Sequence, residues 1–148
     1  MSIKILNIKG TTFNNFGKTL VPSIGAIPEV YEDNIFKFYV TFKEQANSWQ
    51  IGYLDQVGKK VEKLECHPNT SEVFIPLSGV TALLISNDPQ KDIFAFKLNE
   101  PIVINKGVWH GVISLTKSAK ILVVESTDVI DQYYDLNVPI DNNNLINL

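Results

Sequence analysis

The chain has 148 residues, a formal net charge of −3 and 45% hydrophobic residues, which suits one globular domain with a core of its own. Its thirteen lysines are scattered and it has no arginine, so the basic surface that nucleic-acid phosphates require is not expected. No apolar run approaches the roughly 20 residues that span a bilayer, and a single cysteine excludes an internal disulfide, so we expect a cytoplasmic protein that does not bind membranes.

The first predicted element is a short helical turn over residues 11–16, which begins at a threonine cap and stops at Gly17. From there the period is that of β-strands, because aromatic and β-branched residues recur in short runs separated by turn residues. The predicted strands cover residues 35–42, 49–54, 72–77, 80–86, 93–98, 102–104, 109–115 and 120–125. Many short strands at this spacing favour a sandwich, jelly roll or barrel.

The C-terminal part carries two further predictions. A second short helix is predicted over residues 128–134. The polar tail 141–148 is predicted to fray unless Leu145, Ile146 and Leu148 dock on a partner subunit. No internal repeat and no linker interrupts the chain, so residues 1–148 are predicted to form a single domain.

The candidate functional residues include both histidines of the chain. They form two motifs, Glu65-x-His67-x4-Glu72-x6-Gly79 and Gly107-x2-His110. Imidazole and carboxylate groups are common ligands of first-row divalent metals. Glu65 and His67 are two apart on a strand and share a face, and the turn residues 68–71 can reverse the chain to bring Glu72 back to them. The pattern predicts a pocket assembled from neighbouring strands.

Two other reactive side chains lie beside these motifs. Cys66 alternates with the inward-facing residues, so it is predicted to be a small buried hydrophobe and not a nucleophile. Lys106 precedes Gly107 at the mouth of the second motif and is the best-placed cation for an anionic ligand, although Asn-Lys-Gly is also ordinary turn chemistry.

In these motifs the sequence resembles the cupins. Their first motif is usually written G-x5-H-x-H-x3,4-E-x6-G and their second G-x5-P-x-G-x2-H-x3-N. Lys59 stands at the place of the first glycine and Glu65 at that of the first histidine, whereas the other matched positions keep their spacing. The resemblance implies an all-β double-stranded β-helix, the cupin or jelly-roll barrel, with one or two short peripheral helices.

More narrowly, the chain resembles the ureidoglycolate lyase family of cupins, also called ureidoglycolate hydrolases. The segments that carry this resemblance are Leu64–Pro68, Phe74–Leu77, Gly107–His110 and the opening Phe13–Gly17. Members cleave ureidoglycolate to glyoxylate and urea in purine and allantoin nitrogen breakdown, and they typically form homodimers. Two features depart from the family: the arginine that often precedes the first motif is missing, and Gly111 replaces a second histidine.

For such a site the resemblance implies two versions of the chemistry. In one, a divalent metal (Mn, Zn, Ni or Fe) is bound by Glu65, His67, Glu72 and His110. In the other, which is metal-free, Glu72 or His110 is the general base and Lys106 neutralises the substrate carboxylate. Two alternatives stay open: another metal-binding cupin enzyme, either an isomerase or a dioxygenase, and a non-catalytic cupin that binds a small ligand.

Overall fold

The computed structural model describes residues 1–147, and these are almost entirely β-structure. The strands, numbered β1 to β14 in chain order, are Ile3–Asn7, Gly17–Thr19, Val30–Glu32, Phe36–Phe38, Trp49–Gln56, Lys60–Cys66, Glu72–Ser78, Thr81–Ser86, Phe94–Leu98, Ile102–Ile104, Trp109–Ser114, Ala119–Ser126, Gln132–Asp141 and Leu145–Ile146. Two short 3-10 helices cover Thr11–Asn15 and Asn142–Asn144. Within residues 1–147 no helix is long and apolar enough to cross a membrane.

Two sheets form the barrel. One has seven strands in the order β13-β6-β11-β8-β9-β1-β14, and the other has five in the order β2-β10-β7-β12-β5. A separate two-stranded hairpin, β3 and β4, lies in the long connection between β2 and β5. This architecture confirms the predicted all-β barrel with short peripheral helices.

The core explains why the chain closes in this way. Strand β8 is buried along its whole length, so alternate residues enter two different clusters. Leu83 and Ile85 pack between the sheets with Phe74 and Ile121 of the five-stranded sheet. Leu84 belongs to the cluster on the other face of the seven-stranded sheet. A strand covered on both faces must be apolar at successive positions, which accounts for the uninterrupted run Ala82–Ile85.

Two of the sequence predictions near the C-terminus are wrong. Residues 128–134 form no helix: Asp128 lies in a turn, and Gln132–Asp141 is strand β13, which pairs antiparallel with β6. The tail does not fray either, because Leu145 pairs in parallel with Ile3 and Asn144 donates a hydrogen bond to the Met1 carbonyl. Leu148 lies outside the described residues.

The predictions for the first half of the chain have mixed outcomes. The helical turn near residue 11 is confirmed as the 3-10 helix Thr11–Asn15. The long strand predicted over 35–42 is reduced to Phe36–Phe38, one arm of the hairpin. Strand β1 was not predicted.

Cys66 is buried, and its burial raises the pKa of the thiol, as expected of a structural cysteine.

The two motif glycines both adopt left-handed backbone conformations, but in different surroundings. Gly79 has φ +69° in the tight β7–β8 turn, and a Cβ there would lie 2.2 Å from the Ser118 carbonyl oxygen. Gly107 has φ +77°, and a Cβ there would meet open space. Its N–H donates a 3.0 Å hydrogen bond to the His67 carbonyl, which ties the two motifs together.

This difference predicts unequal costs for the same substitution. Gly107→Ala should lower the unfolding free energy by about 1–2 kcal/mol, the cost of holding alanine in a left-handed backbone conformation. Gly79→Ala should lower it more, because the new methyl group also collides with the Ser118 carbonyl oxygen. Urea unfolding of both variants beside the wild type measures the difference. Equal losses would contradict this account of the β7–β8 turn.

Candidate active site

The four predicted ligands come from both sheets and meet at one end of the barrel. Glu65 of β6 and His110 of β11 lie directly opposite each other in the seven-stranded sheet. Glu72 is the first residue of β7 in the five-stranded sheet, and His67 follows β6 in the connection between the sheets. The site therefore depends on how the chain passes from one sheet to the other.

That connection is held by side-chain hydrogen bonds. The Asn69 side chain accepts from the Ile130 N–H at 2.9 Å and donates to the Asp128 carbonyl at 2.7 Å. The Thr70 hydroxyl accepts a hydrogen bond from the Ser126 N–H at 3.3 Å. The turn expected from residues 68–71 is present, and it is fixed to the segment between β12 and β13.

Glu72 is the centre of the cluster. Its Oε2 atom lies 3.0 Å from His67 Nε2 and 2.9 Å from His110 Nε2. Glu65 Oε1 lies 3.6 Å from His110 Nε2. The side chains of His67, Glu72 and His110 are buried, whereas that of Glu65 is 38% exposed. Three buried ionisable groups thus share one small volume, with Glu65 on the side that faces solvent.

These residues fit a divalent metal ion. One ligand atom from each of Glu65, His67, Glu72 and His110 lies within 4.8 Å of the other three. Glu72 Oε2 and His110 Nε2 are buried and have no aligned hydrogen-bond partner in residues 1–147. Two imidazoles and two carboxylates make a donor set that suits zinc, iron, manganese or nickel.

The opposite nitrogen of each imidazole is held by a group outside the cluster. His110 Nδ1 lies 3.1 Å from the Val108 carbonyl. His67 Nδ1 lies 3.0 Å from Asp131 Oδ1 and 3.2 Å from the Ile130 carbonyl. Acceptors at Nδ1 orient both rings with Nε2 toward Glu72, as is usual for the histidine ligands of metals.

Without an ion, the cluster balances its charges by protonation. Burial disfavours a charged His110, but the carboxylates of Glu65 and Glu72 outweigh it and raise the pKa to about 10. Burial likewise opposes a charged His67, and Glu72 raises its pKa to about 9. Burial acts to raise the pKa of Glu72, whereas the two imidazoles lower it to about 2. At neutral pH both rings are therefore protonated and Glu72 is ionised.

The cluster opens into a cleft of about 340 Å³ between the sheets. Leu54, Phe74 and Val123 give it apolar walls, and Glu125 adds a further carboxylate. A second cavity of about 450 Å³ adjoins it and shares Glu65 and His110 with it. The cleft joins apolar walls to a few converging polar groups, which is typical of small-molecule sites.

Lys106, the cation predicted from sequence, lies outside both cavities. Its Nζ atom pairs with Glu44 Oε1 at 3.3 Å, and the residue lines neither cavity. Lys63 does line the outer cavity, with its Nζ atom 4.3 Å from the centre of the Tyr133 ring. Within residues 1–147, no carboxylate forms a salt bridge with Lys63.

Sequence reasoning therefore missed three polar residues at the site. Asp131 and Glu125 have no motif around them, and they reach the site through the turn at 127–131 and the pairing of β12 with β7. The placement of Lys63 at the site could have been predicted, because it lies two residues before Glu65 on the same strand and hence on the same face.

Gly111 also shapes the site. It follows His110 on β11, and a Cβ there would lie 3.3 Å from both Leu64 Cδ2 and Val61 Cγ1. Those two side chains are buried, so a larger residue at 111 would press on strand β6.

Several solved structures are similar to this one over part of their length. They include a 3,4-ketoisomerase from Helicobacter canadensis (20% identity, TM-score 0.45, 62% of this chain and 66% of that chain). A second is a cupin 2 domain-containing protein from Halorhodospira halophila (12% identity, TM-score 0.46, 64% of this chain and 62% of that chain). A third is the Bacillus subtilis oxalate decarboxylase, described with Mn(II) centres (14% identity, TM-score 0.44, 65% of this chain and 24% of that chain). In each case the match spans less than two thirds of the other protein. No curated protein matches the chain.

Two facing sheets that enclose a histidine and carboxylate cluster define a β-barrel of the cupin class. Within that class the sequence matches the family described as ureidoglycolate lyase over residues 29–141, more than half of the chain. The protein belongs to the ureidoglycolate lyase family, which confirms the resemblance found in its motifs.

Metal binding to this cluster should release protons. Because the pKa values of His67 and His110 are about 9 and about 10 without an ion, a metal must displace protons from both Nε2 atoms at pH 7. We expect the affinity for Mn²⁺ or Zn²⁺ to increase between pH 6 and 9, and the heat of binding to change with the ionisation enthalpy of the buffer. Calorimetric titration measures both quantities.

Glu72→Gln is the matched variant for this titration. The substitution keeps the shape of the side chain. It removes the negative charge that raises the pKa of both imidazoles, and it also removes one of the metal-binding carboxylates. Affinity should fall by about 10-fold or more, with fewer protons released. Binding that is independent of pH, or unchanged in this variant, would contradict the assignment of the four ligands.

Proposed function

We propose that this protein cleaves ureidoglycolate to glyoxylate and urea. The observation that carries the proposal is the cluster of Glu65, His67, Glu72 and His110 at the edge of a cleft, in a chain that belongs to the ureidoglycolate lyase family. The family is one of enzymes, which supports a catalytic role for this member.

The chemistry of the substrate determines which catalytic groups the cleft must supply. One carbon of ureidoglycolate carries a hydroxyl, a carboxylate and the urea nitrogen. Cleavage removes the hydroxyl proton, turns that oxygen into the carbonyl of glyoxylate, breaks the carbon–nitrogen bond and adds a proton to the departing nitrogen. The reaction therefore needs a proton acceptor, a proton donor and a cation for the carboxylate.

The buried cluster supplies the proton acceptor. Glu72 is ionised at neutral pH and its Oε2 has no aligned hydrogen bond, so it can accept the hydroxyl proton, but the two imidazoles that lower its pKa to about 2 also make it a weak base. His110 is the alternative base, but it must first lose the proton that its raised pKa retains. When bound to Glu65, His67, Glu72 and His110, a divalent ion would supply Lewis acidity toward the hydroxyl and carboxylate oxygens of the substrate.

Glu125 is the best candidate for the proton donor. It lines the same cleft, Gln50 donates a 3.1 Å hydrogen bond to its Oε1, and its buried Oε2 has no partner in residues 1–147. Burial, followed by the negative charge of Glu72, raises the pKa of this carboxyl group. Since Glu125 is not one of the four ligands, it can donate a proton to the departing nitrogen whether or not a metal is bound.

Lys63 is the candidate cation for the substrate carboxylate. A chain without arginine must bind an anion through lysine, backbone N–H groups, hydroxyls or a metal. Lys63 is held over the Tyr133 ring at the cavity that Glu65 and His110 also line, whereas Lys106 is paired with Glu44. Lys60 lines the same cavity, but Glu62 pairs with it at 2.6 Å.

The activity test is glyoxylate release from racemic ureidoglycolate above the spontaneous rate, with added Mn²⁺ and after chelation. We expect wild-type turnover, a fall of about 100-fold or more in His110→Ala, and a fall of about 100-fold in kcat of Glu125→Gln. No release under any condition would overturn the proposed reaction, and ligand screening for another small polar acid would follow. Near wild-type turnover of His110→Ala would overturn the site assignment.

The two lysines can be distinguished in the same assay. Lys63→Ala should raise KM by about 10-fold or more, because a charge-assisted hydrogen bond to the substrate carboxylate is lost. Lys106→Ala, which removes a charge of the same kind outside the cleft, should leave KM unchanged. A rise in KM for Lys106→Ala alone would restore the role that the sequence predicted for it.

Cytoplasmic localisation remains a prediction, based on the absence of disulfides from a chain with one cysteine.

A further inference from the structure

Gln56 is a polar residue of the cleft that the proposed chemistry does not use. Leu54 of the same strand packs against the core, and Gln56, two residues further along β5, faces the same way. Gln56 lines the cleft and also the outer cavity. The wall common to the two cavities consists of Gln56, Glu65, His110, Gly111 and Val112. Among these side chains, Gln56 carries the amide group.

Two backbone carbonyls fix the orientation of this amide. Gln56 Nε2 donates a hydrogen bond to the Val112 carbonyl at 3.2 Å and a longer one to the Gly58 carbonyl at 3.4 Å. Both partners are acceptors, so the amide nitrogen must face them and the amide oxygen must point away from them. The Gly58 carbonyl also accepts a 2.9 Å hydrogen bond from the Ser114 N–H, which holds the β5–β6 turn against β11. The amide is therefore seated in one orientation between the two sheets.

Gly58 makes room for this arrangement. A Cβ at position 58 would lie 2.9 Å from Gln56 Nε2, closer than ordinary contacts allow. Gly58 is not one of the glycines with a left-handed backbone, so its conformation does not itself require glycine. What the missing side chain provides at this position is space for the Gln56 amide.

The Gln56 amide oxygen is left as a free acceptor. Within residues 1–147 its Oε1 atom accepts no hydrogen bond, and it is not one of the polar atoms that are sealed from solvent. Because the side chain is already oriented, little conformational entropy is lost when a ligand binds to it. An amide oxygen has lone pairs but no proton to donate, so it favours an N–H group and repels the oxygen atoms of a carboxylate or ketone.

The position of this acceptor suits a small ligand that is held by the cluster. Val112, which anchors the amide, lies two residues beyond His110 on β11, about 7 Å along the strand. A ligand with one end at the cluster needs only a few bonds to bring an N–H group to Gln56 Oε1. In ureidoglycolate, one nitrogen and one carbonyl carbon separate the reacting carbon from the terminal NH2 group.

We propose that Gln56 determines specificity for the ureido group by accepting a hydrogen bond from its terminal NH2 at the amide oxygen. The identity of the ligand rests on the proposed function, whereas the preference for an N–H donor rests on the geometry of Gln56. A polar group that a ligand leaves unpaired in a cleft weakens binding, so an analogue with methyl in place of NH2 should bind less tightly. Glu125 protonates the departing nitrogen, so the two residues contact different atoms of the ureido group.

Two stable ligands test this specificity without turnover. N-carbamoylglycine and N-acetylglycine differ only in an NH2 group against a methyl group, and both lack the hydroxyl group from which cleavage starts. Calorimetric titration at one fixed Mn²⁺ concentration should give the wild type a Kd about 10-fold lower for N-carbamoylglycine. Gln56→Met keeps the length of the side chain but has no amide, so its two Kd values should become equal.

Two further variants separate the role of the amide from a general effect on the fold. Gly58→Ala keeps Gln56 but displaces its amide, so the preference for N-carbamoylglycine should be smaller than in the wild type. Gln90→Met is the matched control, because Gln90 is exposed and lines neither the cleft nor the outer cavity. It should keep the wild-type ratio of Kd values, and circular dichroism checks that all three variants fold.

The ratio of the two Kd values distinguishes this specificity from the proposed reaction. A wild type that shows no preference, or that binds neither ligand, would overturn the role of Gln56 even if ureidoglycolate is cleaved. An unchanged ratio in Gln56→Met would overturn it as well. A preference that Gln56→Met abolishes and Gln90→Met retains would support that role, even if no glyoxylate is released and the proposed reaction is wrong.

Discussion

The contact of one buried carboxylate with two buried imidazoles is the constraint on which this site depends. Removing three ionisable groups from water carries a large desolvation cost, which is offset only when the charges are paired or bound to a metal. Glu72 stands between His67 and His110 and pairs with both. Because Glu72 comes from one sheet and His110 from the other, the same contact joins the two halves of the barrel.

The rest of the local structure follows from the need to hold these rings. The Asn69 side chain and the Gly107 N–H fix the connection that carries His67, and Asp131 and the Val108 carbonyl orient the two imidazoles. Each of these contacts joins segments that are distant in the sequence. Burial of His67, Glu72 and His110 strengthens the charge–charge interactions between them.

Most of the barrel could be predicted because its strands are recognisable from their own residues. Residues 72–77 and 120–125 have one face in the core, and their β-branched residues and bounding turns identify them. Strand β13 could not be recognised in this way, because its pairing with β6 is interrupted between Asp135 and Ile140 and most of its residues are exposed. The apolar residues 35–42 suggested a core strand, but in the structure they are mostly exposed.

The four ligands of the candidate site could be predicted because motif spacing fixes them within short segments. Glu125 and Asp131 could not, since they reach the cleft only through the packing of β12 and the turn after it. Lys106 seemed well placed because it precedes a motif glycine, yet the turn directs its side chain to Glu44. Spacing predicts which residues share a strand face, but not where the side chain of a turn residue points.

The close packing around Gly111 has a consequence for substitution at this position. The resemblance to the family leads one to expect a second histidine after His110, and here the backbone of β11 lies against Leu64 and Val61 with almost no space between them. A larger side chain at position 111 would press on Leu64 and Val61 of β6, the strand that also carries Glu65. Both neighbours would have to move by a few tenths of an ångström to accept even a Cβ, so the packing of β6 limits which residues position 111 tolerates.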